Sequence, residues 1–196
     1  VNTAVLKDGE WVGYTRDPDG VVQGYPFLNG MSCAAILGSG GVVPALIDAL
    51  RQAEVHDIRI YARNIEAREA LAQQFSVNSY GFDQLERTEA DVIICAVSSD
   101  DSIVLPTAKE GGQAIDLRYG KNTQFMKDAA NQGYTVHNGL PMLLHQALAQ
   151  FELFTDIQIG NEDVKLLENL LSLTNCPTDQ LPASHSPPPA DDGWTN

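Results

Sequence analysis

The chain has 196 residues, enough for one good core or two small ones, and 43% are apolar, as in an ordinary soluble globular protein. A formal net charge of −14 argues against nucleic acid and against an anionic membrane surface as partners, because both need clustered Lys and Arg. No apolar stretch reaches the roughly 20 residues of a membrane span and no signal peptide is visible, so a cytoplasmic location is the default expectation.

The chain opens at Val1, inside what reads as a strand, and the expectation is that a segment upstream has been removed or left out. Residues 3–6 and 10–15 flank Asp8-Gly9, a strong hairpin signal. Asp17-Pro18-Asp19-Gly20 is turn chemistry, and residues 21–31 read as a linker with room for a short helix. Ser32 to Leu37 is an apolar run that suits a buried parallel strand. After a glycine turn, Val43, Leu46, Ile47 and Leu50 give residues 42–53 helical spacing.

Strands are then expected at 58–62, 91–97, 113–117 and 134–137, with helices at 65–74 and 123–132. This alternation predicts an α/β fold, a Rossmann-like doubly wound parallel sheet covered on both faces. Two further helices are read at 141–154 and 161–173. From Pro177 the chain is rich in Pro, Ser and Asp and is expected to be a disordered tail. The domain reading is therefore 1–25 as the end of one domain, 26–138 as a dinucleotide-binding unit, 139–175 as helices packing back, and 176–196 as tail. Cys33, Cys95 and Cys176 fit neither a redox pair nor a zinc site, so no metal is expected; Cys33 and Cys95 read as buried thiols.

Gly38-Ser39-Gly40-Gly41 lies between a strand and a helix start, where free backbone N–H groups and the helix dipole favour an anion. The spacing is incomplete as a dinucleotide fingerprint, because Val43 stands at the third glycine position, and a ligand-free tight turn is the alternative. The next strand ends Tyr61-Ala62-Arg63-Asn64, without the acid that bonds the ribose hydroxyls in NAD sites. Arg63 is suited instead to a 2′-phosphate, which makes NADP the expected cofactor.

Several stretches together resemble the shikimate dehydrogenase family. Val1-Asn2-Thr3 resembles its V/A-N-T, and residues 13–20, GYTRDPDG, its G-x-N-T-D-x-x-G. LGSGGVVPA at 37–45 resembles its LGxGGxxxA loop, and IYARNIEAREALA at 60–72 its cofactor-selecting segment. Asp116 and Tyr119 resemble its D-x-x-Y, and GLPMLLHQ at 139–146 its G-x-x-M-L-x-x-Q. The variants LGSGG, ARN and MLLHQA are most like actinobacterial members. The match runs from Val1 to about residue 173, and six motifs in the right order make it specific.

The resemblance implies NADPH-dependent, reversible reduction of 3-dehydroshikimate to shikimate, in the chorismate route to aromatic amino acids. It implies an α/β substrate domain, a Rossmann domain, and return helices, with the site in the cleft between. By position, Asp17 matches the catalytic aspartate, which works beside a lysine. Asn2, Gln146 and Tyr119 match substrate-binding positions. Gly38, Ser39, Gly40 and Gly41 match the phosphate loop, Arg63 and Asn64 the 2′-phosphate clamp, and Gly139 and Met142 positions beside the nicotinamide. Homodimerisation stays open.

Each residue has a plainer reading. Asp17 suits a turn, Gln146 a solvated helix face, Asn2 a frayed end, Met142 a core, and His145 a structural or exposed imidazole. The sequence also departs from the family. The matching lysine lies upstream of the V-N-T segment, so this chain alone is expected to bind cofactor better than it turns over. Arg16 stands beside Asp17, where its charge favours the carboxylate or reorients it, which puts substrate identity in doubt. Val97-Ser98-Ser99-Asp100-Asp101 replaces the family's T-P-x-G-M. Rival readings are a quinate or quinate/shikimate dehydrogenase using NAD, and a non-catalytic ligand-sensing module. A glutamyl-tRNA reductase-like or methylene-tetrahydrofolate dehydrogenase-like unit is opposed by GLPMLLHQ.

Overall fold

A computed structural model describes residues 1–119 and 123–174. The expected hairpin is present: β1 (Thr3–Lys7) pairs antiparallel with β2 (Glu10–Tyr14), and Asp8 and Gly9 both take positive φ, 51° and 85°. Two consecutive positive φ values make the kind of turn whose twist matches that of the strands.

α1 spans Asp17–Gly24. This is the first difference from the sequence reading, which took residues 17–20 for a turn. The same chemistry starts a helix: Pro18 has its φ pre-set and sits in the first turn, while Asp17 and Asp19 face the positive end of the helix dipole. A 3-10 turn at Pro26–Leu28 then leads to β3 (Cys33–Leu37), every residue of which is buried.

The chain goes on through α2 (Val43–Gln52), β4 (Asp57–Tyr61), α3 (Ile65–Phe75), β5 (Asn78–Tyr80), β6 (Val92–Cys95), β7 (Gln113–Asp116), α4 (Gln124–Asn131) and β8 (Thr135–His137). Six strands form one parallel sheet in the order β5-β4-β3-β6-β7-β8. β5 was absent from the sequence reading; it is three polar residues at the sheet edge, too short to show a period. The order reverses between β3 and β6, so connections run to opposite sides there and leave a crevice at the carboxyl ends of these two strands.

Alternate residues of the central strands feed two cores. Ala34, Ile36, Val92 and Ile94 pack with Leu46, Leu50 and Val21 on one face. Ala35, Leu37, Ile93 and Cys95 pack with Phe125, Ala129 and Leu85 on the other. Both cores account for the near-continuous apolar run of β3. Cys33 and Cys95 are buried there, and desolvation pushes both thiols up to about 11. The tail from Pro177, expected to be disordered, lies outside the described residues.

α5 (Leu140–Thr155) and α6 (Asn161–Thr174) follow the sheet. α5 returns to the start of the chain and lies on α1. A Cβ on Gly20 would stand 2.6 Å from the Met142 carbonyl oxygen, and one on Gly24 would stand 2.8 Å from the carbonyl carbon of Pro141. Only glycine lets the two backbones meet this closely. Gln150 Nε2 also donates to Thr3 Oγ1 at 3.0 Å, which ties the hairpin to α5. Among the described residues no helix is long and apolar enough to cross a membrane.

Gly20→Ala is expected to destabilise the chain by about 1–3 kcal/mol despite alanine's better helix propensity, because the methyl group is forced into backbone. Gly40→Ala, in open space, is expected to stay within about 0.5 kcal/mol. Urea unfolding of both variants measures this. Acid provides a second check. Hydrogen bonding from Arg59 holds the Asp57 carboxyl below its ordinary 3.8. Burial works against the charge of Asp91, but Lys109 and the N–H groups of Cys33 and Ser32 outweigh it, so that carboxyl is lowered too. Lowered carboxyls contribute stability that is present above pH 3.8 and lost as pH falls through their folded values. The urea midpoint should drop as pH falls below about 4, and Asp91→Asn should flatten the drop.

Candidate active site at the sheet reversal

The glycine turn closes β3 and opens α2. Gly38 has φ +118°, and a Cβ there would stand 3.0 Å from the Ala96 carbonyl oxygen, so glycine is required by both conformation and space. Ser39 is half-buried; Gly40 and Gly41 are exposed, and a Cβ on either would meet nothing within 4 Å. The first turn of α2 has no side-chain cap and no acidic residue. Within that turn the Val43 N–H donates to the Gly40 carbonyl at 3.0 Å and the Leu46 N–H to the Val42 carbonyl at 3.1 Å, and Pro44 carries none, so an anion would be received by the glycine turn ahead of the helix rather than by the helix start alone. Val43, at the missing third glycine position, is fully buried in the core under the sheet.

A cavity of about 350 Å³ lies beside this turn at the ends of β6 and β7. Asp17 from α1, Met142 and Gln146 from α5, Tyr119 after β7, and Ser98 after β6 all line it. Asp17 also lines a neighbouring cavity of about 690 Å³ with Asn2 and Gly41, so it stands between the two spaces. The close packing of α1 on α5 sets its distance to Gln146: a Cβ on Gly20 would be 3.0 Å from Gln146 Cβ.

Asn2 does not line the cavity that holds Gln146. Its Nδ2 donates to Asp17 Oδ1 at 2.7 Å, and its Oδ1 accepts from the Arg16 N–H at 3.0 Å. Its contacts orient Asp17. Arg16, which threatened to disturb Asp17, sends its guanidinium along α1 to Asp19 at 3.3 Å and over the Tyr14 ring at 5.4 Å. It lines neither cavity. Gly139 is buried rather than open to the cavity: a Cβ there would stand 2.1 Å from the Leu117 carbonyl oxygen, so its role is to let α5 begin against the end of β7. Met142 is both core and lining, 8% exposed. His145 pairs with Glu168 across α5 and α6 at 3.1 Å, as a structural imidazole would.

Arg63 is exposed at the end of β4, over the Phe82 ring at 5.9 Å, and lines a separate cavity of about 500 Å³. Asn64 caps α3: its Oδ1 accepts from the Ala67 N–H at 3.0 Å. Arg68 lines the same cavity and donates to the Ala62 carbonyl at 3.0 Å, while its Nε is buried without a partner. Among the described residues no lysine lines these cavities. None of them forms a cluster of His, Cys, Asp and Glu placed to hold a metal ion.

Arg118 escaped the sequence reading. Asp116 is fully buried at the end of β7 and accepts from Arg118 Nε at 3.0 Å and Nη2 at 2.8 Å, and from Thr123 Oγ1. Arg118 Nη1 reaches across to the Ser99 carbonyl and Asp100 Oδ1, both at 2.9 Å. Hydrogen bonding to Asp116 raises the guanidinium above its ordinary value, so it is always charged. Arg118 thus pins the segment after β6 over the cavity. The signal was an arginine two residues beyond a strand-end aspartate.

Arg118→Met should cost about 3 kcal/mol, because the Asp116 carboxylate would stay buried without its cation. Adding Asp116→Asn to that variant should recover part of the loss in a urea titration.

Residues 29–131 match the family model for shikimate / quinate 5-dehydrogenase, and residues 139–160 match that for the shikimate 5′-dehydrogenase C-terminal domain. Shikimate dehydrogenase (NADP(+)) of Methylobacillus flagellatus is 31% identical over 176 residues, 81% of this chain and 64% of that protein. The Exiguobacterium sp. protein of the same name is 31% identical over 180 residues, 87% of this chain and 67% of its own length. The chain therefore spans about two thirds, or slightly less, of the length of these relatives. Among solved structures, Mycobacterium tuberculosis shikimate dehydrogenase superposes with a TM-score of 0.69 at 26% identity, covering 83% of this chain and 66% of that one. The Thermus thermophilus shikimate 5-dehydrogenase in complex with NADP(H) and shikimate gives 0.70 at 24%, covering 86% and 66%, a likeness of fold.

Proposed function

Because this chain belongs to the shikimate / quinate 5-dehydrogenase family, we propose that it forms the cofactor-binding and part of the substrate-binding machinery of a cytoplasmic NADP-dependent shikimate dehydrogenase. The reaction is the reversible reduction of 3-dehydroshikimate to shikimate. The observation that carries the reading is that Asp17 and Gln146, far apart in sequence, line one cavity beside an uncapped helix start and an open glycine turn.

The residues present fit the cofactor. Gly40 and Gly41 leave open space over the α2 N-terminus for a pyrophosphate, and Arg63 presents an exposed guanidinium for the 2′-phosphate. Arg68 lines the same cavity, together with Asp83. When bound, the nicotinamide carries the hydride to or from the substrate carbon.

The chain's own residues orient the substrate and handle its proton. Gln146 offers an amide donor and acceptor to the hydroxyls of a polyol ring, and Tyr119 a phenol from the corner after β7. Asp17, held at Oδ1 by Asn2, keeps a carboxylate on the cavity where the hydroxyl proton leaves or arrives. A lysine beside it would complete the proton pair that the family uses. The described lining contains no lysine. The 196-residue chain alone is therefore proposed to bind NADP+ and turn over poorly, with activity restored by a lysine-bearing upstream segment.

Steady-state assays of the chain joined to a lysine-bearing upstream segment, with shikimate and quinate and each of NADP+ and NAD+, test the reading. Shikimate with NADP+ should give the highest kcat/KM. Asp17→Asn should lower kcat by about 100-fold or more while NADP+ still binds, and Arg63→Ala should weaken NADP+ far more than NAD+. A preference for quinate with NAD+, or equal loss of both cofactors in Arg63→Ala, would replace the reading with the rival dehydrogenase. Full activity of the isolated chain would remove the lysine argument.

A further inference from the structure

The acidic pair after β6 has no part in the proposed chemistry, yet it connects the two ends of the site. Asp101 Oδ2 lies 3.7 Å from Arg63 Nη2. Both side chains are largely exposed, at 65% and 72%. An exposed pair by itself carries little, because two long side chains rarely hold one geometry. This one differs in that the backbone on both sides of Asp101 is anchored.

On one side, Asp100 Oδ1 accepts from Arg118 Nη1 and from the Gln124 N–H at the start of α4, both at 2.9 Å, and the Ser99 carbonyl accepts from Arg118 at 2.9 Å. On the other, Ser102 Oγ and the Ile103 N–H donate to Asp128 Oδ2 at 2.9 and 3.1 Å. Arg118 is itself locked to the fully buried Asp116. Asp101 is thus presented to Arg63 by backbone anchored to Arg118 on one side and to α4 on both, which keeps the carboxylate near the guanidinium while the two side chains retain their own rotamer freedom.

We infer that Asp101 is a built-in counter-ion of Arg63 that sets how strongly the site prefers a dinucleotide with a 2′-phosphate over one without. The inference rests on the reading that Arg63 meets the 2′-phosphate. An incoming phosphate must displace Asp101 from the guanidinium or share it with a carboxylate of like charge, and both weaken binding. A ribose without the phosphate does not compete for Arg63 and meets no such opposition. Arg68 and Asp83 line the same cavity as Arg63, so the charge that a phosphate meets there depends on how much of the Arg63 guanidinium Asp101 holds. Asp101 therefore acts against NADP and is indifferent to NAD, which makes it a specificity-determining residue.

Calorimetric titration of the full chain with NADP+ and with NAD+ tests this in five proteins: wild type, Asp101→Asn, Arg63→Ala, the double variant of these two, and Asp100→Ala. Asp101→Asn should tighten NADP+ about two- to fivefold and leave NAD+ unchanged. In the Arg63→Ala background the same substitution should give a smaller gain. Asp100→Ala, which frees the segment on one side, should move NADP+ the same way by less. Wild type that binds NADP+ with Asp101→Asn unchanged, or with NADP+ and NAD+ shifted equally, overturns the inference and leaves the cofactor reading standing. An equal gain with and without Arg63 also overturns it. NAD+ binding with no NADP+ binding, in wild type and in Asp101→Asn alike, overturns both.

Discussion

A methyl group on Gly20 or Gly24 would collide with the backbone of α5 at Met142 or Pro141. The rest of the site depends on that approach. α1 carries Asp17 and α5 carries Gln146, and the two helices are separated in sequence by the whole parallel sheet. Hydrophobic burial would bring two such helices to an ordinary spacing of about 8–10 Å. Glycines at the contact let them come closer, so that one cavity is lined by side chains from both. The hairpin then follows α1, because Asn2 is bonded to Asp17 and Thr3 to Gln150 on α5.

The sheet supplies the second constraint. Reversal of strand order between β3 and β6 opens a crevice there. Three loops converge on it: the glycine turn after β3, the acidic segment after β6, and the Arg118-Tyr119 corner after β7. The first is shaped by close backbone contact between Gly38 and Ala96. The other two are joined by Arg118, whose cation satisfies the buried Asp116 and at the same time holds Ser99 and Asp100. A buried carboxylate demands a partner wherever it occurs; here the partner also shapes the rim of the site.

Charge distribution qualifies what net charge suggests. The chain carries −14 overall, yet the expected cofactor is a polyanion. The structure offers local groups instead: the glycine turn ahead of α2, and the exposed Arg63 guanidinium in a cavity that Arg68 and Asp83 also line. Their fields act within about a Debye length, so an acidic protein can hold an anionic ligand at a few points. Asp101 moderates one of those points.

Much of this was legible in the residues themselves. Periodicity and glycine punctuation located the sheet strands apart from β5, the long helices, the hairpin and the phosphate-type turn, because each depends on residues close in sequence. Motif resemblance pointed to Asp17 and Gln146. The turn reading at residues 17–20 gave way to a helix because Asp and Pro suit both, and only packing against α5 decides between them. Tertiary structure alone decided that Asp17 and Gln146 share a cavity, that Asn2 holds Asp17, that Arg16 turns away, and that Arg118 binds the segment after β6. Each of these is a contact between elements brought together by the fold, and side-chain direction across such contacts has no local period from which it could be read.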